Sequence, residues 1–142
     1  MKTYARHASA RWLGTRHRGK GAINTPSAAL KMALHAADGD TKGRGTNPAE
    51  LIAAAIAGSF SLTLADELGQ AGYKPREIDT MATVTLDHLA DGTQILLAVT
   101  ANVPRAAECD FVDATLRAKA NCPILRVLSA NTLMTAKLTR NE

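Results

Sequence analysis

Cysteines, aromatics and long apolar runs are all scarce in this chain. Its 142 residues hold 2 cysteines, Cys109 and Cys122. That is too few for a disulfide framework and points to a reducing, intracellular compartment. Aromatics make up 4% of residues, although the hydrophobic share is 46%. Much of that share is alanine, which buries little area, so one copy builds a thin core and a dimer is expected to bury more. The N-terminus, Met1-Lys2-Thr3-Tyr4-Ala5-Arg6-His7, has no apolar run after its charges, so no signal peptide is expected. The longest apolar run, Leu51 to Ala57, falls short of the ~20 residues that span a bilayer, and a soluble cytoplasmic protein is expected.

Other absences narrow the chemistry. His7, His17, His35 and His88 are scattered without metal-ligand spacing, so neither a metal nor another cofactor is implied. The string Ala57-Gly58-Ser59-Phe60-Ser61 is not the Gly-x-Ser-x-Gly of a hydrolase nucleophile, and no His or Asp adjoins it. The 17 Lys+Arg against 13 Asp+Glu leave a formal charge of +4, too mild to name a partner. Arg6, Arg11, Arg16, Arg18 and Lys20 form a basic N-terminal segment. They lack interleaved aromatics and any nucleic-acid motif, so nucleic acid is not the expected partner.

The elements that are present follow clear local rules. Ala8–Leu13 and Gly19–Ile23 read as short strands ended by Gly14 and by Thr25-Pro26. Asp38–Gly45 is polar and glycine-rich, an exposed loop. Asn47 can cap a helix with Pro48 at its first position. From Leu51 to Phe60 that helix is apolar nearly all round, which predicts burial all round. Asp66, Glu67 and Gln70 return its last turns to solvent, and Gly69 or Gly72 can end it in a left-handed cap. A hairpin follows, with Ala82, Val84 and Leu86 on one face, a tight turn at Asp91-Gly92, and Ile95, Leu97, Val99, Ala101 and Val103 returning. A second helix over Glu108–Ala120 offers Phe111, Val112, Ala114, Leu116 and Ala118. Pro123 opens a helical turn through Leu128, and Thr132–Thr139 alternates as a last strand. Clustered strands without strict βαβ alternation predict an α+β fold in a single domain, 1–142.

Three segments carry a family resemblance. They are Gly45-Thr-Asn-Pro-Ala-Glu-Leu-Ile-Ala-Ala-Ala-Ile-Ala-Gly-Ser-Phe-Ser61, Ile78-Asp-Thr-Met-Ala-Thr-Val-Thr-Leu86 and Ala118-Lys-Ala-Asn-Cys-Pro-Ile-Leu-Arg-Val-Leu128. In order and spacing they are similar to the OsmC/Ohr family of organic hydroperoxide reductases. The resemblance implies antiparallel sheets around a long buried central helix, in an intertwined homodimer with two sites at the subunit interface. It also implies a two-thiol reaction in the oxidative and osmotic stress response. One cysteine on the buried helix attacks the peroxide, and a second in a Cys-Pro motif closes a disulfide that a dithiol reopens. Cys122 falls on the resolving position.

Three departures fall on that site. Ser59 takes the peroxidatic position, Ala49 takes that of the glutamate in Asn-Pro-Glu, and the loop arginine falls near Gly39. A serine hydroxyl is about as acidic as water and cannot cycle through a sulfenic acid. Loss of the glutamate and the arginine along with the cysteine fits a natural variant with a retired or altered site better than an engineered mutant. The resemblance therefore implies a peroxidase scaffold whose own activity is lost or weak.

Individual residues keep two readings each. Ser59 can mark the former nucleophile, or bond back to the Ala55 carbonyl and fill space. Cys122 can be an inert buried thiol, or react alone with hydroperoxide because it precedes a helical turn. Cys109, outside any motif, reads as a small residue at a helix start in preference to a redox partner. Glu50 is turned about 100° from Ala49; it can face a partner's Arg44, or serve as a helix-start carboxylate. Arg44 and Lys42 can replace the missing arginine or solvate a loop. Ile56 and Phe60 can line a cleft for an organic hydroperoxide or another lipophilic molecule. Ligand binding or regulation is therefore the alternative function.

Overall fold

The computed structural model describes residues 3–36, 45–86 and 93–141. The chain divides into two compact units, residues 1–51 and 52–142. The expected Asp91-Gly92 turn and most of the 38–45 loop, including Lys42 and Arg44, lie outside the described residues.

The first unit is a three-stranded antiparallel sheet of β1 (Ser9–Leu13), β2 (Lys20–Asn24) and β3 (Lys31–Leu34), in that order. β1 and β2 match the two strands read from sequence. β3 was not legible, because Lys31-Met32-Ala33-Leu34 is too short for an alternating pattern. Trp12 pairs with Gly21 across β1 and β2. A Cβ at Gly21 would come within 2.5 Å of the Trp12 ring, so the indole occupies the space a side chain would take. Leu34 makes a parallel bridge to Thr46, with His35 N–H donating to the Thr46 carbonyl at 2.8 Å. Thr46, at 3% exposure, is the buried residue of this unit among those described; its large apolar side chains reach at most partial burial.

The long helix α1 (Pro48–Gln70) starts at the end of this unit and runs into the next. Alanine favours the helix, and Asn47 caps it: its Oδ1 accepts the Glu50 amide at 2.9 Å. Gly72, with φ +92°, ends it. The Tyr73 amide donates to the Leu68 carbonyl at 2.9 Å, which is a Schellman closure. As a whole, α1 is long and apolar enough to cross a membrane by length and composition. Gly58, Ser59, Ser61 and Thr63 interrupt its apolar run without making it polar, which is why the run from Leu51 to Ala57 understated it.

In the second unit, β4 (Glu77–Thr85), β5 (Gln94–Asn102) and β6 (Asn131–Thr139) form a sheet in sequence order. β4 and β5 pair antiparallel, while β5 and β6 pair parallel. Parallel neighbours need a crossover. It is supplied by α2 (Glu108–Asn121) and α3 (Pro123–Leu128). Ile95, Leu97, Val99 and Ala101 alternate into the core as their period predicts. Ile56, Phe60, Leu64 and Leu68, four apart on α1, and Phe111, Ala114, Ala118 and Cys122 from α2 and its end close it. Each large apolar side chain fully buried this way contributes about 1.5–3 kcal/mol.

The structure corrects several expectations. α1 is not buried on all sides within one chain: Leu62 is 76% exposed, and Ala54, Ala55 and Gly58 share open positions. Val112 and Leu116 also face outward, because the α2 core stripe runs through Phe111, Ala114 and Ala118. Asp66 and Gln70 do reach solvent, but Glu67, at 8% exposure, does not. Its carboxylate accepts from Arg117 Nε at 2.9 Å and from Asn121 Nδ2 at 3.0 Å. The Asn121 hydrogen bond first, then the Arg117 hydrogen bond and charge, hold the Glu67 carboxyl below the usual carboxylate range, against opposing desolvation.

A carboxyl whose folded pKa is lowered adds stability above its unfolded pKa and loses it as pH falls through the folded value. Thermal melting of the wild type is therefore expected to fall more steeply than that of Glu67→Gln between about pH 6 and about pH 3. Glu67→Gln should melt lower at neutral pH. Parallel melting curves across that range would show that this carboxylate is not coupled to folding.

Candidate functional site

Ser59 and Cys122 meet. Ser59 lies midway along α1, one residue before the fully buried Phe60. Cys122 ends α2 and caps α3, where Pro123 takes the first helical position. The Cys122 thiol donates to Ser59 Oγ at 3.4 Å, across 63 residues of sequence. The carbonyl of Ser59 accepts the Thr63 hydroxyl at 2.8 Å, and Ser61 bonds back to Ala57 at 2.8 Å. Helical back-bonding is thus done by Ser61 and Thr63, while the Ser59 hydroxyl faces the thiol.

Three polar links set this meeting. Ser59 with Cys122, Glu67 with Arg117 and Asn121, and Tyr73 with Asp110 rise along α1 while falling along α2. The two helices therefore run antiparallel, and Asn121, held by Glu67, immediately precedes Cys122. The Tyr73 hydroxyl donates to Asp110 Oδ2 at 2.5 Å, and that hydrogen bond pushes the phenol above its ordinary pKa. The Glu67 cluster was missed in the sequence. Its available signal was the four-residue spacing of Arg117 and Asn121, which puts both on one face of α2.

What this geometry can do is limited. The recorded partner of Ser59 Oγ is a thiol, and no histidine or carboxylate among the described residues hydrogen-bonds to it. An alcohol without a base is a poor nucleophile. Cys122 is 0% exposed, so an external peroxide does not reach its sulfur without local opening. Its distance to Ser59 is short enough that a sulfur in place of the hydroxyl would need to close by only about 1.4 Å to reach a disulfide length. Cys109 is exposed at the other end of α2, 13 residues from Cys122. Thirteen helical residues span about 20 Å, beyond disulfide reach.

The remaining sequence candidates fall elsewhere. Glu50 is exposed at the start of α1, where its Oε1 accepts the Thr46 hydroxyl at 3.4 Å and its amide is capped by Asn47. That is the helix-start carboxylate. Arg44 lies outside the described residues. Ile56 and Phe60 are fully buried members of the core.

The observations define an α+β chain with two small sheets, in which Ser59 on a long apolar helix meets the thiol of a Cys-Pro turn. A sequence family described as "OsmC-like protein" matches residues 39–137. Over 132 residues the chain is 39% identical to the peroxiredoxin OsmC of Escherichia coli (strain K12), covering 90% of this chain and 92% of that protein. The chain belongs to the OsmC-like family. Solved structures share its fold. The OsmC-like protein from Mycoplasma pneumoniae superposes with a TM-score of 0.76 at 11% identity, over 97% of this chain and 99% of that one. An organic hydroperoxide resistance protein from Elizabethkingia anophelis gives 0.69 at 21% identity, over 99% and 100%.

The two thiols should differ sharply in reactivity. A disulfide reagent such as Ellman's is expected to titrate Cys109 at once in the native protein and Cys122 only after guanidinium unfolding. Rapid modification of both thiols in the native state would contradict the burial of Cys122.

Proposed function

We propose that this chain keeps the scaffold of an organic hydroperoxide reductase while its own two-thiol turnover is lost or severely weakened. The observation that supports this most directly is the 3.4 Å pairing of Ser59 with Cys122. The relative in Escherichia coli is a peroxiredoxin, and the 39% identity extends over 90% of this chain. In a two-thiol reaction, a thiolate takes the terminal peroxide oxygen as a sulfenic acid and releases the alcohol. The second thiol then displaces water as the disulfide forms. Ser59 cannot begin that sequence. Cys122 stands where the second thiol would act, but it is buried and lacks a sulfur partner. Its burial also speaks against Cys122 working alone. The full burial of Ile56 and Phe60 gives them a packing role, so the lipophilic-cleft reading has no observation in its favour.

The working form is proposed to be a soluble, cytoplasmic homodimer. The first sheet has no fully buried apolar residue in its own chain. A three-stranded sheet needs a covered hydrophobic face to be stable. The outer face of α1 has the same need: Leu62 is exposed, and nothing lies within 4 Å of a Cβ built at Gly58. A second α1 approaching through Ala54, Ala55, Gly58 and Leu62 would meet the second of these requirements.

Two experiments test these readings. The purified protein is mixed with cumene hydroperoxide and excess dithiol, and peroxide loss is followed. Wild type and Cys122→Ser should not exceed the dithiol background, whereas Ser59→Cys should form a 59–122 disulfide with one equivalent of peroxide. Fast turnover by the unaltered chain would overturn the assignment. Light scattering should give twice the 15.0 kDa chain mass for wild type and a lower mass for Leu62→Glu. A monomeric wild type would remove the dimer.

A further inference from the structure

The second sheet is apolar on the face it turns to water. β5 sends Ile95, Leu97, Val99 and Ala101 into the core, so Gln94, Leu96, Ala98 and Thr100 point outward. Strand pairing extends these into rows across the sheet. Thr83, Leu96 and Leu133 share one row, Met81, Ala98 and Thr135 the next, and Asp79, Thr100 and Lys137 the third. Met81 is 69% exposed, Leu133 52% and Leu96 43%. A sheet with one face in water ordinarily carries polar residues there. Here the centre is apolar, and polar rows close it at both ends. Such a rimmed patch marks an interaction surface.

The patch has relief as well as polarity. Thr83, Ala98 and Thr135 are small, and a depression of about 300 Å³ opens among them, Met81, Leu96 and Leu133. Asp79 and Lys137 stand on opposite edges of the same row with Thr100 between them. Two strand spacings hold them about 10 Å apart. Among the described residues neither takes part in an ion pair.

This pattern is complementary to itself. Let a second copy be turned about a two-fold axis along β5 and laid face to face on the first, about 10 Å away, as packed sheets lie. β4 of each copy then lies over β6 of the other, and every row keeps its height. Met81 faces Thr135, Leu133 faces Thr83, and Asp79 faces Lys137, each contact occurring twice. Large side chains meet small ones, and the carboxylate meets the ammonium. A two-fold axis across the strands gives the opposite result. Placed through the Met81 row, it stacks Met81 on Met81, Asp79 on Thr83 and Lys137 on Leu133, so charges fall on uncharged and apolar groups.

We propose that a second copy of this chain docks on the outer face of the second sheet in that two-fold, sheet-on-sheet arrangement. Each of its three strands is nine residues long. At about 3.3 Å per residue and about 4.8 Å between strands, two such faces bury roughly 900 Å² together. That is the size of a weak, concentration-dependent contact rather than a permanent one. The inner face of the same sheet joins the core with α1, so this contact is separate from any pairing through Leu62 and rests on neither the α1 dimer nor the hydroperoxide reading.

Sedimentation equilibrium of the full chain from about 5 µM to about 1 mM tests this. The weight-average mass should rise at the upper end of that range above its dilute value. Met81→Lys should move the rise to at least about tenfold higher concentration, because it sets an unpaired cation in the apolar centre twice over. Asp79→Lys should move it by about tenfold, since each Lys137 then meets a lysine, and Asp79→Lys combined with Lys137→Asp should restore the wild-type curve. All three positions are exposed, so melting temperatures should stay at the wild-type value, which separates lost association from lost folding. The dilute mass reports on the α1 face and should be the same in every variant. A chain that is monomeric when dilute, yet gains mass through Met81, removes the α1 dimer and supports this contact. No gain in mass at the highest concentration, a gain unchanged by Met81→Lys or Asp79→Lys, or a double variant that fails to restore association would each overturn the proposal.

Discussion

The antiparallel packing of α1 against α2 is the constraint on which the rest of the second unit depends. Apolar stripes on both helices join the same core, but such stripes tolerate sliding. Polar pairs do not, because a buried carboxylate or thiol that loses its partner is left in a medium that penalises it. Glu67 in the grip of Arg117 and Asn121, with Tyr73 on Asp110 one end further along, fixes the register. Ser59 and Cys122 are brought together as a result. The central rung uses the nearly buried Glu67 carboxylate, held by a half-exposed Arg117 and by Asn121.

Much of this was legible in the sequence, and the reasons differ by element. Asn47-Pro48 announced the start of α1 through capping chemistry that needs no tertiary partner, and Gly72 could be named among its possible ends. Strict alternation gave the inner face of β5. The structure brings Ser59 and Cys122 together, and spacing alone could not have placed them there. Burial of Glu67 was not legible, because a lone carboxylate near the end of a helix ordinarily seeks water, and its partners lie 50 and 54 residues away. The same reasoning failed for Val112 and Leu116: hydrophobicity marked them as core, but a narrow helical stripe had room only for their neighbours.

The two units differ in how far a single chain satisfies them. The second has an apolar interior drawn from both helices and the sheet. The first has paired strands whose apolar side chains are at most partly buried among the described residues, and Trp12 is its one bulky aromatic within a strand. An alanine-rich composition leads to this outcome. Small side chains allow close approach but cannot fill a hollow, so large buried areas must come from surfaces meeting surfaces. The exposed face of α1, with small residues around Leu62, has the same character.

The parallel pairing of β5 with β6 has a consequence in time. An antiparallel return could form locally, but a parallel neighbour must wait for α2 and α3 to be threaded between the strands. Loop closure over such distances is entropically expensive and slows folding. Cys122 sits inside that late crossover, while the hydroxyl it meets belongs to a helix able to form early. The cover over the thiol thus depends on a connection closed across a long stretch of chain, whereas the helix that carries the hydroxyl is held by local hydrogen bonds.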